Sequence, residues 1–96
     1  MKSDEIVQRL AAQRAKFQEL DVKSLAIFGS VARDEARPDS DLDVLVEFKG
    51  PTTFNQYILL KIFLEDLLNC RIDLVTRKGV RPELLPHIER EARRVA

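Results

Sequence analysis

The chain has a single cysteine and a single histidine in 96 residues. Cys70 alone excludes an internal disulfide and any zinc site built from several cysteines. With His87 it makes no Cys/His metal cluster. Long apolar runs are also missing. The longest, such as Leu25-Ala26-Ile27-Phe28, has four residues, against about 20 for a membrane helix. No membrane association is expected. The start of the chain has Lys2, Asp4 and Glu5 and no apolar signal core, so cytoplasm is the expected location. Net charge is absent as well, because 16 Lys and Arg balance 16 Asp and Glu. A freestanding nucleic-acid binder usually shows a basic excess, so no direct nucleic-acid contact is expected.

What is present is ordinary for a globular chain: 45% hydrophobic and 33% charged residues. The length fits one domain, 1–96, with a small core that a partner subunit would help to complete. The charge is segregated. Residues 34–47 hold six acids and one base, Arg37, while residues 77–96 hold six bases and three acids. An acidic centre makes a divalent cation the first candidate ligand.

Hydrophobic periodicity divides the chain. Residues 3–20 read as a helix, with Ser3 as cap, Asp4 and Glu5 in the first turn, and a stripe of Ile6, Leu10, Phe17 and Leu20 beside Ala11. Val22–Phe28 reads as a strand that Gly29-Ser30 ends. Residues 31–36 fit a short helix or turn before the loop Arg37-Pro38-Asp39. Leu42–Phe48 alternates: Leu42, Val44, Val46 and Phe48 share one face, and Asp41, Asp43, Leu45 and Glu47 the other. Residues 53–69 read as a helix with an apolar face of Phe54, Tyr57, Ile58, Ile62, Leu64, Leu67 and Leu68. Residues 71–76 form a third strand and 83–94 a last helix, with 93–96 as an alternative edge strand. Cys70 is expected to be buried and His87 exposed. This order predicts an α/β (α+β) domain, a small mixed β-sheet with flanking helices.

The chemistry gathers around Asp41 and Asp43. Spaced by two on a strand, both carboxylates project from one face. An Asp-x-Asp can simply mark the exposed end of a strand. Its alternative role is to bind a hard divalent cation, which prefers carboxylate oxygens. Twelve residues earlier, Gly29-Ser30 follows an apolar strand, a turn where a phosphate can approach the backbone. A third acid, Asp73, interrupts the short apolar strand Ile72-Asp73-Leu74. Three carboxylates on two strands beside such a turn fit metal-dependent phosphoryl or nucleotidyl transfer. Glu47 lies too far along its strand to join them, and Ser40 fits a role in the turn. Arg33 admits two readings, a phosphate or ribose contact, or a surface pair with Asp34 or Glu35.

The stretch Gly29-Ser30-Val31-Ala32-Arg33 through Ser40-Asp41-Leu42-Asp43-Val44-Leu45-Val46 resembles the signature of the polymerase-beta-type nucleotidyltransferase superfamily. The wording GSVAR…SDLDVLVEF is similar to its minimal nucleotidyltransferase branch, antitoxins paired with a helical HEPN ribonuclease toxin. The branch usually has Gly after the Arg, where this chain has Asp34. The resemblance implies a polymerase-beta-like fold, ATP as substrate and two Mg²⁺ ions. Asp41 and Asp43 would hold both metals, and Asp73 would complete the second site and help activate the attacking hydroxyl. Gly29, Ser30 and Arg33 would bind the nucleotide. The acceptor would be a tyrosine of a HEPN-type toxin, which makes a hetero-oligomer the expected assembly. A chain this short leaves no residues for an acceptor-binding domain, so another molecule would present the acceptor. The rival reading is an antitoxin that silences its toxin by stoichiometric contact without catalysis.

Overall fold

The computed structural model describes residues 2–37 and 39–95. Its elements run α1 (Ser3–Ala11), α2 (Arg14–Glu19), β1 (Val22–Phe28), α3 (Gly29–Ala32), β2 (Leu42–Phe48), α4 (Phe54–Leu68), β3 (Ile72–Thr76), α5 (Leu85–Glu91) and β4 (Arg93–Arg94). A 3-10 turn, Arg77–Gly79, follows β3. The sheet has the order β3-β2-β1-β4. β1 is antiparallel to β2 and β4, and β2 is parallel to β3. The parallel pair needs a crossover, which α4 supplies. This is the expected mixed sheet with flanking helices.

The alternation along β2 places the core. Leu42, Val44, Val46 and Phe48 turn inward with Leu25 and Ile27 of β1 and Ile72 and Leu74 of β3. Helices α1, α2 and α4 cover that face with Ile6, Leu10, Phe17, Leu60, Leu64 and Leu68. The rings of Phe17 and Phe63 meet edge to face at 6.1 Å. Leu45 is also buried, at 5% exposure, but it points to the opposite face and stands outside this cluster.

Several local expectations are corrected. The helix over 3–20 is two helices, with a turn at Ala12 and Gln13 where the Gln13 amide donates to the Leu10 carbonyl at 2.9 Å. The stripe Ile6, Leu10, Phe17 and Leu20 is buried across the break, whereas Ala11 is exposed. Ser3 does not cap α1. It lies inside the helix, fully buried, and its partners come from elsewhere in the chain. On α4 the buried face is Leu60, Leu64 and Leu68, while Phe54 and Ile62 are 79% and 50% exposed. The helix is apolar all round, so its sequence does not select the inward face. Its ends are well marked: Thr53 and Gln56 form a reciprocal capping box, and Asn69 closes the helix in the left-handed conformation. Cys70 is exposed because it follows that cap in the loop before β3. The short helix near residue 30 begins at Gly29, two residues earlier than expected. The last helix is shorter than 83–94, and the edge-strand alternative holds at Arg93–Arg94. Pro38 and Ala96 lie outside the described residues.

Candidate active site

The site is assembled by strand register. Asp43 lies opposite Asp73 in the parallel β2–β3 pair and opposite Phe28 in the β1–β2 pair. Directly paired residues on neighbouring strands share a face, with backbones about 4.8 Å apart. Asp43 and Asp73 therefore stand side by side. Asp41 is just before β2, where the Leu42 amide donates to the Arg71 carbonyl at 2.9 Å. Asp41 and Asp73 are exposed and Asp43 is half-buried.

Gly29 makes room for this cluster. Its φ is +74°, in the region that favours glycine. A Cβ added there would sit 2.1 Å from Asp43 Oδ2. The Asp43 carboxylate thus rests against the glycine Cα, and no side chain fits between them. Helix α3 starts at this glycine, is pinned to the core by buried Val31, and carries no side-chain cap on its first amides.

The electrostatics follow from the crowding. Burial pushes the Asp43 carboxyl up to about 6, and the charge and hydrogen bond of Asp73 and the charge of Asp41 add to the rise. Arg33 opposes it. Like charges close together and partly desolvated disfavour ionisation. Among the described residues, no three acid, His or Cys side chains are gathered around one point. The fit to a metal is therefore one of chemistry. The donors are oxygen-only, carry repelling negative charge, and share one face of the sheet, which suits hard divalent cations. A cation would return the Asp43 carboxyl to its ionised form.

Arg33 is held by two carboxylates. Its Nε donates to Glu35 Oε2 at 3.1 Å and its Nη1 to Glu91 Oε2 at 2.8 Å. These pairs raise the guanidinium pKa further, Glu35 first. The Glu35 pair is the expected surface contact, and Glu91, on α5, is a second partner 58 residues away that no local pattern marks. Asp34 does not pair with Arg33 but with Ser3, and through Ser3 it is linked to Arg93. Ser3 donates its amide to Asp34 Oδ1 at 2.8 Å and its hydroxyl to Oδ2 at 3.0 Å. Arg93 Nη1 reaches Ser3 Oγ at 2.6 Å and Asp4 Oδ1 at 2.7 Å. Asp34 has φ +58°, which explains why glycine suits this position. Partners this remote in sequence leave no local signal. Glu47 stays out of the cluster, as expected, and pairs with Lys23 at 3.7 Å. Tyr57 donates its hydroxyl to the Leu74 carbonyl at 2.6 Å, a structural role at the back of β3.

A mixed sheet with Asp41 just before β2, Asp43 on it, Asp73 on β3 and a glycine turn after β1 fits a nucleotidyl-transfer fold. The chain belongs to the nucleotidyltransferase domain family, whose model matches residues 9–95. It is 35% identical to the protein adenylyltransferase MntA of Thermococcus cleftensis, over 92% of this chain and 90% of that protein. It is 42% identical over 59 residues to a Methanocaldococcus jannaschii protein also named as a protein adenylyltransferase, a match spanning 62% of this chain and only 60% of the relative's own length. Among solved structures it is similar to one described as a minimal nucleotidyltransferase, with a TM-score of 0.84, 39% identity, and coverage of 97% of this chain and 95% of that one. A complex of a tri-AMPylated HEPN toxin from Shewanella oneidensis with its MNT antitoxin shares the fold at a TM-score of 0.67 and 16% identity, covering 94% of this chain and 71% of that one. A toxin–antitoxin structure with AMP-PNP does so at 0.73 and 17%, covering 90% and 72%.

Proposed function

We propose that this protein transfers AMP from ATP to a tyrosine of a cognate HEPN-type ribonuclease toxin and so neutralises it. The observation that carries the reading is the Asp43–Asp73 register pair beside Asp41, seated against a glycine that admits no side chain. In the reaction, the tyrosine oxygen attacks the α-phosphorus of ATP, the bond to the bridging oxygen breaks, and pyrophosphate leaves. Asp41 and Asp43 would hold two Mg²⁺ ions, with Asp73 completing the second site. When bound, such ions stabilise the charge on the attacking and leaving oxygens. Asp73, on the edge strand β3, would take the proton of the incoming hydroxyl. Gly29 and Ser30 offer backbone amides and a hydroxyl to the triphosphate. Arg33 stands near enough to Asp43 to lower its pKa, and exchanging Glu91 for a phosphate would carry it into the site. The family relatives named as protein adenylyltransferases and the AMPylated toxin complex support a HEPN toxin as the acceptor protein and a hetero-oligomeric assembly. The small compact chain, in which no described helix is long and apolar enough to cross a membrane, is consistent with action in the cytoplasm.

The test is intact mass spectrometry of the toxin after incubation with this protein, ATP and Mg²⁺, beside an Asp41→Asn/Asp43→Asn control. One or more added AMP masses, absent with the control, is the expected result. An unmodified toxin that the double variant still neutralises would leave only stoichiometric inhibition.

A further inference from the structure

Asp73 differs from Asp43 in how its backbone is held. Asp43 is on β2, which lies between β1 and β3. Asp73 is on β3, the end of the sheet, with a strand on one side only. The Leu42 amide donates to the Arg71 carbonyl at 2.9 Å. In a parallel ladder of this register, residues 71, 73 and 75 direct their amides and carbonyls to β2. Residues 72, 74 and 76 turn theirs outward, where an edge strand has no ladder partner. Helix α4 reaches that edge on both sides of Asp73. Glu65 Oε2 accepts from the Ile72 amide at 3.3 Å, and the Tyr57 hydroxyl donates to the Leu74 carbonyl at 2.6 Å.

From this placement we infer that Tyr57 and Glu65 are positioning residues, which clamp the outer edge of β3 and hold Asp73 beside Asp43. The inference rests on the proposed function, in which Asp73 takes the proton of the acceptor hydroxyl. A general base must lie within hydrogen-bond reach of that proton. A misplacement of about 1 Å can cost on the order of a hundredfold in rate. Without the two bonds from α4, the backbone on either side of Asp73 is tied to β2 alone and opens at lower cost. The chemistry of the two groups suits the task. A hydroxyl supplies the donor that a free carbonyl lacks, and a carboxylate the acceptor that a free amide lacks. A half-buried carboxylate such as Glu65 is costly unless it is hydrogen-bonded, and the Ile72 amide is a partner for it. Helix α4 packs on the core face of the sheet, opposite the carboxylates. Both residues therefore act on Asp73 through the strand and not by contact.

Removing one hydrogen bond at a time tests this. Tyr57→Phe loses the donor to Leu74, Glu65→Ala loses the acceptor for Ile72, and Glu65→Gln keeps an acceptor. AMP transfer to the toxin is measured with Mg²⁺ over a range of ATP concentrations. Amide hydrogen exchange of the strands is followed without ligands. In Tyr57→Phe and Glu65→Ala, kcat should fall about tenfold or more while the KM for ATP stays within about twofold, because Asp41, Asp43 and the glycine turn are left in place. Exchange in β3 should quicken in the same two variants and stay slow in β1. Glu65→Gln should keep both its kcat and its slow exchange. Tyr57→Phe, the mildest change, carries the test where Glu65→Ala does not melt cooperatively. Wild-type kcat or unchanged β3 exchange in folded Tyr57→Phe overturns the clamp, and a Glu65→Gln as slow as Glu65→Ala overturns the part given to Glu65. A wild type that transfers no AMP overturns the proposed function and the positioning role with it. Faster β3 exchange in the variants would then mark a contact that serves the fold alone.

Discussion

Leu42 and Asp43 are neighbours on one strand, and their side chains obey opposite rules. Leu42 turns into the core with Val44, Val46 and Phe48 and is 1% exposed. Asp43 turns the other way, half-buried, beside a second carboxylate and within reach of a third. The inward face stabilises the fold by removing apolar surface from water. The outward face holds charges that repel one another in a partly dry setting, which costs stability. One strand thus builds the domain with its even-numbered positions and stores electrostatic strain at Asp43 on the other face. The difference predicts that adjacent substitutions on β2 have effects of opposite sign.

The largest effect is expected on the inward face. Leu42→Ala removes a fully buried side chain and should destabilise the protein by about 2–5 kcal/mol. Chemical denaturation measures it. A loss well under 1 kcal/mol would mean that β2 is not packed as described. Gly29→Ala attacks the seam between the faces. It forces a Cβ to within 2.1 Å of Asp43 Oδ2 and imposes a left-handed φ on alanine. Backbone strain of this kind costs about 1–3 kcal/mol. Because Asp43 must move, AMP transfer should be lost even where the variant remains folded. Wild-type activity from Gly29→Ala would remove the glycine turn from the site.

The contrast between the faces also governs what the sequence made legible. β1 was readable to the residue from an apolar run that Gly29 ends, and β2 from its alternation. Asp41 and Asp43 were readable because a spacing of two fixes a shared side. Asp73 was readable only as an acid out of place; its pairing with Asp43 depends on a parallel register that a crossover helix sets. The inward face of α4 was not readable, since Phe54, Leu59 and Ile62 are as apolar as Leu60 and Leu64. Nor were the ties from Arg33 to Glu91 and from Asp34 to Ser3, which span 58 and 31 residues. Charges that meet across such distances carry no periodicity.

A smaller effect, of reversed sign, is expected from Asp43→Asn. Burial first, then Asp73, raises the folded-state carboxyl from 3.8 to about 6. A group whose pKa rises on folding supports the fold below its unfolded pKa, and that support is lost as pH climbs through the folded value. The metal-free wild type should therefore lose stability between about pH 4 and pH 6, and Asp43→Asn should not share that loss. Above pH 7 the variant should be the more stable by about 1 kcal/mol, the shift being discounted for solvent screening. Mg²⁺ with ATP should reverse the order by stabilising only the wild type. Melting curves across this pH range, with and without the ligands, decide it. A variant less stable than wild type at pH 8 without ligand would show that the outward face is not strained.

The smallest effect is expected where the chain puts an acid in a glycine position. Asp34 holds φ +58° and accepts two hydrogen bonds from Ser3, whose amide begins α1 and whose hydroxyl is buried. Those bonds hold its carboxyl below the usual range, so its contribution is present at neutral pH and is lost as acid protonates it. Asp34→Gly relaxes the backbone and removes both acceptors; Asp34→Asn keeps one acceptor and tolerates the conformation. The two gains and losses in the glycine variant nearly offset, so its melting temperature should fall only slightly, and that of Asp34→Asn less. Amide hydrogen exchange gives the sharper readout. Protection in the first turn of α1 should drop in Asp34→Gly and persist in Asp34→Asn, while the core strands keep theirs in both. Equal protection of that turn in all three proteins would mean that Asp34 does not anchor α1, and that the acid stands at the glycine position without a structural task.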